Sequence, residues 1–191
     1  MSVTDNRGET VTDSARRRLQ QAAVDLFGKQ GFDSTTAAEI AAQAGVTERT
    51  FFRHFADKRE VLFDGQAVLL DALLSAIKEV PRETPPLDTL FRAFRSVCPL
   101  LETNRPFSGP RQAVISATPS LQERERAKTA ALAEALARAL RGRGVPGERA
   151  AIAAQIGMSV FAHVTVAWLN EAPSGLTERL DRAEQDLRTL I

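Results

Sequence analysis

The sequence predicts an all-α protein of about nine helices: a short N-terminal three-helix domain followed by a longer C-terminal helical bundle. Three observations predict it. Apolar residues recur at a spacing of about 3.6 along most of the chain. Strict apolar–polar alternation, the mark of a half-buried strand, is absent. The first three periodic stretches are short and crowded together, whereas the later ones are long.

The elements follow in order. Residues 1–13 are polar and carry no apolar h-region, so they read as a flexible tail and not as a signal peptide. Asp13 or Ser14 offers an N-cap for a first helix that runs to about residue 29. Leu19, Ala22, Ala23, Leu26 and Phe27 form its apolar stripe, and Gly31 ends it. The second helix starts at Thr36, with Glu39 at the capping-box spacing, and reaches Ala44. Gly45 and Val46 interrupt it. A third runs from Thr47 to His54. Asp57 caps a long helix over residues 58–80, with Val61, Leu62, Leu69, Leu70, Leu73, Leu74 and Ile77 inward. The run PRETPP then breaks the chain. The next helix covers residues 87–101 and ends or kinks around Pro99. Residues 104–110, NRPFSGP, read as a loop, and residues 111–117 as a short helix. A long helix over 120–141 carries Leu132, Leu136 and Leu140 on one side and a Glu134–Arg138 pair on its wet face. After the turn GRGVPG, helices over 148–170 and 176–190 close the chain.

Composition narrows the class. The chain has 191 residues, 43% hydrophobic and 26% charged, which suffices for a real core. Its formal net charge of +1 provides no global basic field, so any nucleic-acid site must be local. A single cysteine, Cys98, forms no internal disulfide and points to a reducing cytoplasm. Residues 150–169 carry no charge and meet the length of a membrane span. Their alanine content, with Gln155, Ser159, His163 and Thr165, favours a helix buried in a core or a subunit interface over a span.

The break at Gly45 carries the functional reading. Two helices joined by a short turn containing glycine form a helix-turn-helix. Glycine adopts the left-handed backbone of such a turn at little cost. Ala41 is small enough for close approach, and Val46, Phe51 and Phe55 are apolar where the second helix grips the first. Thr47 is a natural N-cap. The N-terminal residues of the second helix in such units reach base edges in a DNA major groove. Here these are Thr47, Glu48, Arg49 and Thr50. Arginine pairs with guanine in bidentate fashion, threonine bonds a base or touches a thymine methyl, and glutamate accepts from cytosine. Arg53, His54 and Lys58 lie where phosphates would pass, and Arg16, Arg17 and Arg18 add charge to the first helix. Between Asp13 and Arg59, eight basic residues stand against six acidic ones, so affinity must come from placement and from doubling the unit. A structural hairpin that binds nothing is the bland alternative.

Residues 16–63 resemble the DNA-binding region of TetR-family transcriptional regulators. The matching stretches are AAVDLFGKQGFDSTT (residues 22–36) and IAAQAGVTERTFFRHFADKREVLF (residues 40–63). The resemblance implies an all-α homodimer with a helix-turn-helix DNA-binding domain over 14–60 and a ligand-binding and dimerisation domain over 61–191. It implies a repressor that binds a palindromic operator in double-stranded DNA and is released by a small-molecule effector. It further implies phosphate contacts from Thr36, Thr47 and Lys58, and base contacts from Arg49 and Thr50. Phe52 stands where the family usually has a phosphate-contacting tyrosine, and its missing hydroxyl removes that bond. The mostly Leu, Ile, Val, Phe and Ala inward positions from Lys58 to Arg141 favour a largely apolar effector.

Other signals carry less. GRGVPG fits G-x-G-x-x-G, but a helix precedes it where a dinucleotide site needs a strand, so it reads as a helix cap and turn. No cofactor is expected. His54, His163 and Cys98 are too scattered for a metal site. G-x-S-x-G, Walker A and H-E-x-x-H are all missing. An enzyme or a protein-binding adaptor on a helical bundle, with a passive N-terminal hairpin, is the competing function.

Overall fold

The structure, a computed structural model, describes residues 11–171 and 175–190. Among these it contains nine α-helices, one 3-10 turn and no strand. The helices are α1 (Val11–Gln30), α2 (Ala37–Gln43), α3 (Glu48–His54), α4 (Gln66–Glu79), α5 (Pro86–Thr103), α6 (Arg105–Ala117), α7 (Pro119–Gly142), α8 (Gly147–Asn170) and α9 (Leu176–Leu190). The chain divides into two compact units. One takes the chain up to Gly65 together with Pro110–Leu121; the other takes Gln66–Gly109 and the chain from Gln122 onward.

The first unit is built around α1. Leu19, Ala22, Ala23 and Phe27 are buried as their 3.6-residue spacing requires, and Leu26 is half-buried. The chain is already helical at Val11, before the Asp13 or Ser14 cap expected from sequence. Ser14 accepts instead from Arg18 one turn on, at 3.1 Å. The first ten residues of the expected tail lie outside the described residues.

The expected long helix over 58–80 is interrupted. Asp57 does act as a cap, accepting from the backbone N–H of Arg59 at 2.7 Å and of Glu60 at 3.1 Å. What it caps is only the 3-10 turn Glu60–Leu62, and α4 starts afresh at Gln66. Val61, Leu62 and Phe63 are buried in the first unit, while Asp64 is held by Arg16 and Gln20 of α1. Gly65, a poor helix former, follows at the boundary between units.

In the second unit α5 packs against α4, α8 and α9, and α8 against α9. Its core gathers Leu73, Ile77, Leu90, Phe91, Phe94, Leu136, Leu140, Ala154, Phe161, Trp168 and Leu180. Phe94 and Phe161 stack at 4.4 Å with their planes 10° apart. Gly157 lets α5 and α8 approach: a Cβ there would meet Leu90 Cδ1 at 3.0 Å. α5 runs through Pro99 to Thr103, so of the two expected outcomes, an end or a kink, the helix does not end at the proline. Pro99 lies in the last turns of the helix, where Thr103 Oγ1 donates to its carbonyl at 2.9 Å. Residues 104–110 form no loop either. Asn104 accepts from Phe107 and Ser108, and Pro106 sits in the first turn of α6, where its missing N–H costs nothing.

α8 is the one described helix long and apolar enough to cross a membrane. Ala150, Ala153, Ala154, Gly157, Met158, Phe161, Val164 and Trp168 are buried in the second unit's core. Ile152 is half exposed, at 50%, and Ile156 and Val160 are partly exposed. Arg105 closes the helix end, donating to the Trp168 carbonyl at 2.9 Å and the Glu171 carbonyl at 2.6 Å with its guanidinium over the Trp168 ring.

Candidate nucleic-acid interface

The interface rests on local capping. Thr36 caps α2: its hydroxyl accepts from Glu39 N at 3.2 Å, and Glu39 Oε2 accepts from Thr36 N at 2.7 Å. These bonds hold the Glu39 carboxyl below its ordinary range, the backbone N–H of Thr36 contributing most. At the other end of α2, Gly45 takes φ +67°. Its N–H reaches the Ala42 carbonyl at 3.1 Å, and Val46 N–H reaches Ala41 at 2.9 Å. That pair of bonds is a Schellman motif, which needs the left-handed residue glycine supplies. Arg18 of α1 satisfies another orphan acceptor, with Nε 3.0 Å from the Ala44 carbonyl.

The chain then resumes as α3. Thr47 Oγ1 accepts from Thr50 N at 3.2 Å, as an N-cap should, and lies 3.0 Å from the Thr50 hydroxyl. Phe51 and Phe55, one turn apart, are 0% and 3% exposed. They turn one side of α3 into the unit's core and set Glu48, Arg49, Phe52 and Arg53 in solvent. Phe52 is 52% exposed and meets the Phe51 ring edge-on at 5.3 Å. Thr50 and His54 are half-buried, the His54 ring 6.2 Å from that of Phe55.

The cations divide into two groups. Arg49 and Arg53 make no hydrogen bond, ion pair or ring contact among the described residues, and both are exposed. Several others serve the fold. Arg16 pairs with Asp64 and lies over the Phe55 ring. Arg59 pairs with Asp57 at 2.7 Å, which lowers the Asp57 carboxyl's pKa. Arg111, from the α6 part of this unit, donates to the Leu62 carbonyl and lies over Phe63. Lys58, the phosphate contact implied by the resemblance, is engaged inside the unit in this structure. Its ammonium donates to the carbonyls of Phe32, Thr35 and Asp33, at 2.8, 2.9 and 3.3 Å. Sequence reasoning missed the roles of Arg111 and Lys58 because their acceptors are backbone carbonyls, which leave no mark in the side-chain pattern.

Elsewhere, Cys98 is a core thiol that donates to the Phe94 carbonyl at 3.3 Å, and burial raises its pKa. No group of three potential metal ligands occurs among the described residues.

A chain helical and strand-free among its described residues, whose capped, glycine-broken helix pair presents a polar and basic face, has the form of a helix-turn-helix protein. Comparison with known proteins shows which regulators it resembles. Residues 19–64 match the model of the "Bacterial regulatory proteins, tetR family". The chain is similar to the HTH-type transcriptional regulator TcmR of Streptomyces glaucescens, 40% identical over 82 residues that cover 43% of this chain and 36% of TcmR. It is similar to the HTH-type transcriptional regulator HbdR of Aromatoleum sp. (strain CIB), 30% identical over 114 residues, 55% of this chain and 48% of HbdR. The matched region thus spans less than half of either regulator. Among solved structures, Thermus thermophilus FadR, a TetR-family repressor in complex with lauroyl-CoA, matches at a TM-score of 0.56 and 26% identity, covering 89% of this chain and 91% of FadR. Residues 19–64 are thus similar to the DNA-binding region of TetR-family regulators, and most of the chain shares the fold of FadR. The named relatives are HTH-type transcriptional regulators.

Proposed function

We propose that this protein is a cytoplasmic transcriptional repressor that binds a palindromic operator in double-stranded DNA as a homodimer and is released by a small, largely apolar effector. The observation that carries the reading is the division of labour on α3: Phe51 and Phe55 anchor it, while Glu48, Arg49, Phe52 and Arg53 face solvent. Arg49, near the N-terminus of α3, is the base-reading cation, with Glu48 and Thr50 beside it. Arg53 approaches a phosphate, and Thr36, Thr47 and His54 flank the backbone. Phe52 packs against sugar.

Dimerisation through α8 and α9 is supported by the outward Ile152, Ile156 and Val160, and by a groove between the two helices lined by Val160, Val164, Ala183, Leu187 and Leu190. An apolar effector is supported by the aliphatic and aromatic core of the second unit, and by the lauroyl-CoA bound to FadR. Effector and operator must oppose each other reciprocally: each weakens the other's binding by the same factor, with a coupling of about 1–3 kcal/mol sufficient for control.

The test is selection of bound duplexes from a random pool, followed by a search for compounds that release them. A palindromic motif is expected. Failure to enrich any sequence would remove the reading.

A further inference from the structure

The turn between α1 and α2 is closed from outside by Lys58. Residues 32–35 turn the chain from Gly31 to Thr36, and three of their carbonyls converge on one ammonium: Phe32 at 2.8 Å, Thr35 at 2.9 Å and Asp33 at 3.3 Å. An ammonium has three N–H donors and no acceptor, so these contacts use its whole capacity. The same nitrogen lies 4.4 Å from the Phe32 ring centroid, within cation–π range. Phe32 is itself buried and packed against Phe27 at 5.1 Å. Thr35 is fully buried, and its hydroxyl donates to the Gly31 carbonyl at 2.8 Å. The turn and its cation form one fitted cluster, and a phosphate would have to draw Nζ away from it.

We infer that Lys58 is a positioning residue: its ammonium fastens the 32–35 turn and thereby sets Thr36 and α2, on which α3 packs, without itself touching DNA. This inference rests on the proposed DNA-binding function. It separates two roles that weaken binding alike but differ in salt dependence. Removing a phosphate-bound cation lowers the slope of log affinity against log salt by about 0.9. Removing a positioning cation lowers affinity at every salt concentration and leaves the slope unchanged.

The experiment measures affinity for the selected operator across a salt series, on full-length protein held well below its melting temperature, for the native chain and for Lys58→Met and Lys58→Gln. Methionine keeps the apolar stem on Phe32 and deletes the donors. Glutamine is neutral but keeps N–H donors for the carbonyls. The expected result is about a tenfold loss for Lys58→Met, the scale of a lost charged hydrogen bond. Lys58→Gln should recover part of that loss, and both slopes should equal the native one. A slope lowered by about one in either variant overturns the inference in favour of a phosphate contact. Unchanged affinity in folded Lys58→Met overturns it as well. If Lys58→Met does not fold, the slope of Lys58→Gln decides alone. Failure of the native chain to bind any selected duplex is a failure of the DNA-binding reading, seen before any variant is made.

Discussion

Arg18 Nε lies 3.0 Å from the carbonyl of Ala44, the C-cap residue of α2. A cation from α1 therefore sits at the negative end of α2, one residue before the glycine turn. Arg18→Met keeps much of the stem and loses the donor. It should destabilise the protein by about 1 kcal/mol, the value of a charged hydrogen bond discounted for solvent exposure. Urea denaturation followed by far-UV circular dichroism reads the shift, and an unchanged midpoint would show that the contact contributes nothing.

Gly45→Ala tests the turn itself. No atom lies within 4 Å of a Cβ built there, so space is not the obstacle. The obstacle is φ at +67°. An alanine held left-handed should cost about 1–2 kcal/mol. A variant as stable as the native chain would mean that the turn relaxes freely into another conformation.

The capping box predicts a pH response. The Glu39 carboxyl is lowered below 4.5 by its bonds to Thr36. A carboxylate depressed in the folded state contributes stability that is present above its unfolded pKa and lost as pH falls through the folded one. The Thr36–Glu39 box should therefore hold through neutral and mildly acidic pH, then open below pH 4.5. Amide exchange at the start of α2, followed by NMR during acid titration, should show protection lost in that window in the native chain and no such step in Glu39→Gln.

These local features were legible because a cap is a short-range arrangement. Thr36 with Glu39, Gly45 and Thr47 each lie within a few residues of the groups they satisfy, and the expected roles match the observed bonds. What escaped the sequence depends on distant partners. The interruption of the helix over 58–80 reflects Asp64, which is held by Arg16 48 residues away. The helical start of α6 was hidden by two prolines, one of which falls in the first turn, where proline is tolerated. At the interface, the exposed face of α3 follows directly from the spacing of Phe51 and Phe55. The employment of Arg18 and Lys58 inside the fold does not, because backbone carbonyls carry no residue identity, and that of Arg16 does not because Asp64 lies 48 residues away.

Ile152→Arg tests the proposed assembly. Ile152 is 50% exposed on the outward side of α8, so an arginine there leaves the subunit's own core intact. In a homodimer through α8 and α9, one charge from each subunit would be brought to the interface. Light scattering should show a dimer for the native chain and a shift toward monomer for the variant, with little change in melting temperature per subunit. A native monomer at micromolar concentration, with or without DNA, would contradict the proposed assembly.

The most direct measurement is the base preference of Arg49→Ala. Arg49 is exposed near the start of α3 and makes no hydrogen bond, ion pair or ring contact among the described residues, so its removal should leave the fold intact. If α3 is the recognition helix, selection from a random duplex pool should return the native palindrome with one position per half-site relaxed. Affinity for the native operator should fall by about 1–3 kcal/mol, the worth of a bidentate base contact. An unchanged selected motif at unchanged affinity would contradict the assignment of α3 as the element that reads DNA.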